Sequence, residues 1–496
     1  MSNSNFFSKF LKNINNSINN LLEKNLNKLN LNNLLNIARS NKIFLTIVAL
    51  VILFVSYLSI PNIYKQEEIT LKFNSQLSEK FNLNLNFSEN FEYSFFPRPH
   101  FIIKDTEIKI DQKIISKVKK LKIYVSLENL FSLRNMRINE LIIENANFNL
   151  DKNNYKFLFD LLDNDFKEKS LKIKNSNIFF RNLENEVLFV NKIINMQYYY
   201  DTNDLQNIII SENEIFNIPY VLQITDNKDR NQLLSELSLN FLKLQIQNQF
   251  NYNKKIKDGI ANFILNKTKS SIKYNLYKNY FNFNYFDKIE SPNFFYEGVF
   301  NFKPFFSKIT GKSNKLNLDY YLDSNGFVVQ LLKTEIFNNK NINFEFNIKA
   351  KKIQGNNNFE NINLISKINE GLIDIDNTKF SWKKYVDFQI QDSLIFLKKG
   401  KLTLDGRLKI NILDYEELYK FLLTPKNYRN KIKTIDLNFT YDFDQKSADL
   451  NDIRVDGKFN QNLNKVMSNI NFKRDNLQNK IYLKKLLNDA IKNYAG

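Results

Sequence analysis

The residues that could do chemistry are few. His100 is the single histidine, and there is no cysteine. A histidine-based catalytic dyad therefore has one candidate, and thiolate nucleophiles, disulfides and cysteine-bound metals are excluded. A zinc site would have to be completed by other ligands around one imidazole. His100 follows Pro99 in an alternating, strand-like stretch, so it reads as a structural or exposed residue, not a base. The acidic pairs Glu67–Glu68 and Glu416–Glu417 fall in helical patterns and read as solvated faces. No GxSxG, P-loop, HExxH or Rossmann pattern occurs. The expectation is a protein that is not an enzyme and holds no cofactor or metal.

The elements around these residues carry more information. The chain has 496 residues and a formal charge of +19. Such a charge suits an anionic partner, either nucleic acid or a membrane surface. The lysines are spread along the chain, and no nucleic-acid-binding motif accompanies them, so nucleic acid is not an expected partner. Glycine (10) and proline (7) are scarce. Much of the turn chemistry must fall to asparagine, which tolerates the left-handed region.

Residues 43–64, "IFLTIVALVILFVSYLSIPNIY", carry no charge. At about 1.5 Å per residue they reach about 33 Å, enough for a bilayer core of about 30 Å. The stretch is long for a signal peptide and lacks a small-residue cleavage site, so it predicts an uncleaved anchor. Residues 1–42 hold Lys9, Lys12, Lys24, Lys28, Arg39 and Lys42 against Glu23, whereas Glu67 and Glu68 follow the anchor. The positive-inside rule then puts the N-terminus in the cytoplasm and the bulk of the chain across the membrane. Phe7, Leu11, Ile14, Ile18 and Leu22 recur at helical spacing, which predicts an amphipathic tail on the inner membrane face.

Beyond the anchor, Ile69, Phe73, Leu77 and Phe81 define one helical face, and Asn82 is a left-handed stop. From Leu83 onward the apolar period is two, as in Leu121, Ile123, Val125 and in Ile435, Leu437, Phe439, Tyr441. Short polar turns separate the runs, with no regular crossover helices, which predicts an antiparallel meander. The phase slip at Phe241–Leu242 suggests a bulge. Residues 155–163 and 413–423 are brief helical patterns. Asp414 and Glu417 resemble a capping box in the second, and Pro425 ends it. The tail places Leu483, Leu486, Leu487, Ala490, Ile491 and Tyr494 on one helical face.

Residues 91–110 read "FEYSFFPRPHFIIKDTEIKI". Pro97 and Pro99 cannot donate to a ladder, so this stretch ends one strand and redirects the chain into the next. The aromatics Phe91, Tyr93, Phe95 and Phe96 are expected to cover the open end of an apolar sheet face near the membrane.

This stretch, followed by "SLENLFSLRNMRINELIIENANFNL" (126–150) and "LKIKNSNIFFRNLENEVLFVNKI" (171–193), resembles the AsmA-like family of membrane-anchored envelope proteins. The resemblance covers about residues 40–195. A weaker echo, "KLTLDGRLKINILDYEELYKFL", lies near 400–460, and Asn82 stands where the family often has glycine. The resemblance implies a mainly β fold: an elongated, curved antiparallel sheet forming an apolar groove. It also implies a periplasmic protein of the cell envelope, anchored in the inner membrane by one pass and linked to lipid transport and outer-membrane biogenesis. Its partners would be inner-membrane phospholipids, with outer-membrane or assembly proteins beside them. The domain reading is a cytoplasmic tail (1–42), the anchor (43–64), an AsmA-like β region (65–195), an extended β-groove (196–480) and a C-terminal helix (481–496). The residues expected to touch acyl chains are Phe95, Phe96, Leu239, Phe241, Ile342, Phe344, Phe346, Leu437 and Phe439. The alternative is a scaffold or regulator of outer-membrane protein assembly whose core is filled and carries no lipid.

Overall fold

The computed structural model describes residues 42–88, 91–110, 113–151, 153–182, 185–227, 230–252, 257–265, 268–286, 294–302, 305–468, 472–473 and 480–495. Apart from Lys42, the expected amphipathic tail, residues 1–42, lies outside them. Among the described residues, 26 strands join one hydrogen-bonded sheet. The chain is mainly β, as its two-residue periodicity predicts. By contact it divides into two units. The first takes residues up to 76 with 89–102 and 122–139; the second takes 77–88, 103–121 and everything from 140.

The first unit begins with α1 (Lys42–Ser59), which passes through a 3-10 turn (Ile60–Ile63) into α2 (Gln66–Phe81). The segment Thr46–Ile63 is long and apolar enough to cross a membrane. Ile47, Leu50, Val51, Leu53 and Phe54 are all exposed, so α1 presents apolar side chains that no protein core covers. Such a helix needs an apolar host. Glu67 and Glu68 sit in the first turn of α2, where carboxylates meet the positive end of the helix dipole.

The core of this unit is aromatic. Phe73 of α2 and Tyr93 both pack on Phe101, at ring separations of 5.0 Å and 4.9 Å. Gln76 is buried and replaces a strand partner. Its Nε2 donates to the Met136 carbonyl at 2.7 Å, and its Oε1 accepts from the Ile138 N–H at 3.1 Å. The strand Phe91–Ser94 stops before the two prolines, and the next starts at His100. The redirection expected at Pro97 and Pro99 is therefore present.

In the second unit Leu77, Phe81 and Leu83 are fully buried. Asn82 ends α2 at φ 53, as its type predicts. The strand Asn84–Asn86 then pairs with Glu107–Lys109. Most later strands form the expected antiparallel meander, but among the described residues two pairings are parallel: residues 140–150 with 170–180, and 306–316 with 343–353. A parallel pair needs a connection that crosses back over the sheet. The first uses residues 151–169 with α3 (Phe157–Asp160); the second uses 317–342 with α4 (Asp319–Leu322) and α5 (Phe327–Lys333). The purely antiparallel reading is corrected at these two places.

The phase slip at Phe241–Leu242 is also not a bulge. Residues 240–242 form a 3-10 turn, and Lys243 closes it in the left-handed region at φ 49. The turn joins two antiparallel strands with Leu239 opposite Leu244. Further on, α6 (Tyr415–Leu422) is capped by Asp414, whose carboxylate accepts from the Glu417 N–H at 3.0 Å. Glu417 does not reach back as a capping box would; it pairs with Lys420 at 2.6 Å. The chain continues through α7 (Gln461–Ser468) to α8 (Lys480–Ala495). Leu486, Leu487, Ala490 and Tyr494 of α8 pack on the core around Leu437 and Ile453.

Candidate functional site

Directly opposed residues in a sheet share a face, so register alone traces which side chains line up. In the second unit one face is apolar across the described middle strands. Leu237 opposes Leu222 on one side and Ile246 on the other. Ile246 opposes Phe263, and Ala261, two residues along that strand, opposes Ile272. Tyr274 opposes Phe283, and Phe281 opposes Phe300. Ile309 opposes Phe346, and Ile348 opposes Leu364. The reverse face carries Gln247, Lys273, Asn284, Glu297 and Lys308 at the alternate positions.

The burial of this face changes along the chain. At its start, the first crossover covers it. Tyr198 is fully buried, donates to the Leu158 carbonyl at 2.8 Å and stacks on Phe166 at 5.8 Å. At the other end, Tyr321 of α4 packs on the cluster of Leu316 and Ile348 and hydrogen-bonds Tyr296, and Val329 of α5 is fully buried with Leu402, Leu404 and Phe443. Between these covers lies a lane. Among the described residues from 243 to 315, Ala261 is the single buried hydrophobic side chain. Ile246, Phe263, Ile272, Phe281, Phe283, Phe300 and Ile309 are all half-buried. No helix lies between residues 243 and 318 in the described chain.

Glycines floor this lane. Gly259, Gly298 and Gly311 sit directly opposite Tyr274, Phe283 and Tyr296 in register. A Cβ added at these positions would lie 2.2 Å, 2.6 Å and 2.6 Å from the facing ring. Each ring therefore lies across a neighbouring strand's bare backbone. Glycine otherwise weakens a strand, and the aromatic cover compensates for the missing side chain. The rings then touch one another: Tyr274 and Phe281 at 5.7 Å, Phe281 and Phe300 at 5.1 Å, Phe300 and Phe305 at 4.8 Å.

Polar groups on this face are paired with each other. Tyr274 Oη donates to Asn248 Oδ1 at 2.8 Å, Tyr220 Oη to Asn191 Oδ1 at 2.8 Å, and Ser211 Oγ to Asn213 Oδ1 at 2.8 Å. Burial pushes the Tyr220 hydroxyl up to about 12, with the Asn191 hydrogen bond opposing it. These groups stay neutral at physiological pH and add no charge to the face.

The residues expected to meet acyl chains divide into three groups. Leu239, Phe344, Phe346, Leu437 and Phe439 fall on the apolar face by register. Of these, Leu437 is buried, with α8 packed on its cluster. Phe241 lies in the 240–242 turn and Ile342 just before its strand, so neither belongs to the alternating strand face. Phe95 and Phe96 belong to the first unit. They are exposed in the loop before Pro97 and do not cover a sheet face, because the prolines turn their backbone out of the ladder. The sequence reading missed the glycine–aromatic pairs, since partners across strands are visible only once the register is known.

His100 has a structural place. It is buried, stacks on Tyr124 at 4.7 Å, and its Nδ1 lies 2.8 Å from the Arg98 carbonyl. Among the described residues no group of three or more acidic or histidine side chains is placed to hold a metal.

A helix fit to cross a membrane, followed by a single sheet with a continuous apolar face, defines a class of anchored, one-sheet β proteins. The AsmA family model matches residues 38–294, just over half of the chain, and the chain belongs to the AsmA family. That match reaches well beyond the stretch whose motifs carry the resemblance and includes the first strands of the lane. No curated protein matches the chain.

Proposed function

We propose that this protein is a periplasmic envelope protein, anchored in the inner membrane, that holds or conducts phospholipid acyl chains along the lane. One observation carries the reading: among the described residues from 243 to 315 the apolar face holds one buried hydrophobic side chain, Ala261, whereas the flanking parts of the same face bury several, Tyr198 and Ile209 on one side and Ile348 and Leu402 on the other. An acyl chain in water loses about 0.8 kcal/mol for each exposed CH₂. An isoleucine- and phenylalanine-lined lane restores most of that. A lipid would then move between two hosts of similar apolarity, the bilayer and the lane, without a deep trap. Membership of the AsmA family fits this setting.

The test is photo-crosslinking in cells with the full chain. Crosslinkers at Phe281 and Phe346 should capture phospholipid, detected as a mass adduct. Those at Asn282 and Glu345, on the reverse face, should not. No adduct at either apolar position would leave the non-transporting scaffold as the better reading.

A further inference from the structure

We propose that two loops of the first unit, residues 95–99 and 126–136, are membrane-embedded and form a collar around the end of α1. The occupant of this surface is the bilayer that α1 crosses. The inference is independent of the lane.

Three tyrosine hydroxyls set the depth. Tyr57 donates to the Leu127 carbonyl at 2.7 Å and accepts from the Leu130 N–H at 3.3 Å. Tyr64 donates to the Leu130 carbonyl at 2.8 Å. Tyr93 donates to the Leu58 carbonyl at 2.5 Å, which ties the strand before the first loop to the same place. The spanning segment runs to Ile63. At about 1.5 Å per residue, Tyr57 lies about 9 Å short of that end. Groups bonded to Tyr57 and Leu58 are therefore tethered beside the last turns of the span.

The side chains at that level suit lipid. Phe96 is 73% exposed, Phe131 64% and Leu127 52%, and Ile63 is also exposed. Loop backbone in a membrane needs its polar groups satisfied. Here the tyrosines satisfy Leu127 and Leu130, and the Ser132 N–H donates to the Asn129 carbonyl at 3.0 Å. Tyrosines at the end of a span are the usual interfacial anchors. The loops carry Arg98 and Arg134 against Glu128, a balance that favours phosphate headgroups.

The chain lacks cysteine, so single-site labelling needs no background changes. The full protein, with Phe96→Cys or Phe131→Cys carrying an environment-sensitive fluorophore, is placed in phosphatidylethanolamine–phosphatidylglycerol nanodiscs. Leu205→Cys, an exposed turn position in the other unit, supplies the solvent reference. Labels at 96 and 131 should emit to the blue of the reference. Lipids with a nitroxide near the headgroup should quench them more than lipids with one at the chain end. Tyr57→Phe should reduce quenching at 131 and leave 96 unchanged, because Tyr93 still holds that side. Reference-like emission without quenching at both positions would overturn the proposal and leave a protein partner as the cover for these aromatics.

Discussion

Phe283 lies across the bare backbone of Gly298, its direct partner in the neighbouring strand. A methyl group on Gly298 would sit 2.6 Å from that ring. The same relation joins Tyr296 to Gly311, and Tyr274 to Gly259. The lane owes its depth to these pairs, because each ring lies down where a Cβ would prop it up.

The first prediction follows. Gly298→Ala and Gly311→Ala should each lift one ring into the lane. Overpacking of this kind costs about 1–3 kcal/mol, which a large sheet survives. The variants should fold, with a Tm lower by a few degrees, and lipid capture by crosslinkers at Phe281 and Phe346 should fall several-fold. Val299→Ala, on the reverse face of the same strand, should leave capture unchanged. Full capture in both glycine variants would mean that the rings do not set the bore.

A second prediction concerns Gln76, which spans Met136 and Ile138 as a strand would. Gln76→Leu leaves a buried carbonyl and a buried N–H without partners, each worth about 1–3 kcal/mol. Limited proteolysis between residues 126 and 139 should speed up by at least tenfold. Gln76→Glu should be nearly as damaging at neutral pH, since a carboxylate can accept from Ile138 but faces the Met136 carbonyl. Its protonated form can donate, so that variant should recover protection as pH falls toward the carboxyl pKa. A Glu variant whose protection does not change with pH would sink this account.

Helix caps allow a quantitative check. Asp414 accepts from the Glu417 N–H, while Glu417 itself is turned toward Lys420. With a single cap bond, Asp414→Ala should cost about 1 kcal/mol. Glu417→Gln should cost only a few tenths, as expected for an exposed helix pair. Equal losses, measured by denaturant unfolding of the full protein in detergent, would indicate a reciprocal cap after all.

Local features were legible in the sequence. The helix at 66–81 and its stop at Asn82 follow from one apolar stripe and one residue able to adopt φ 53. Alternation at Leu437 and Phe439 placed both on the apolar face before their partners were known. What escaped was whatever depends on pairing. The slip at Phe241–Leu242 has the same signature as a bulge or as a tight turn, and only Lys243 in the left-handed region decides between them. Parallel pairing of 306–316 with 343–353 could not be read from either strand, because alternation is identical in both orientations. The cue was the intervening segment: Phe327 to Lys333 is helical but too short to stand out in an apolar, strand-like background.

That segment supports the last prediction. The crossover at residues 317–342 covers one end of the lane, and Val329 is its fully buried peg among Leu402, Leu404 and Phe443. Its edges are held weakly. Lys333 pairs with Asp444, and Lys446 with Asp323 at 3.1 Å, on partly exposed side chains. Such pairs contribute about 0–1 kcal/mol each. Asn339 adds one hydrogen bond to the Leu188 carbonyl at 2.8 Å. The apolar side chains of the crossover, Val329 with Leu322 and Leu332 beside it, must therefore supply most of the hold. Val329→Asp buries an unpaired charge at a cost of several kcal/mol, about enough to unseat so short a segment while the sheet persists. A crosslinker at Leu404, which is buried beneath the peg, should capture no lipid in the native chain. It should capture lipid in the Val329→Asp variant, together with faster cleavage between residues 323 and 341. Removing both ion pairs through Lys333→Ala and Lys446→Ala should do neither. Native capture at Leu404 would show instead that the crossover stands aside and that the lane runs on beneath it.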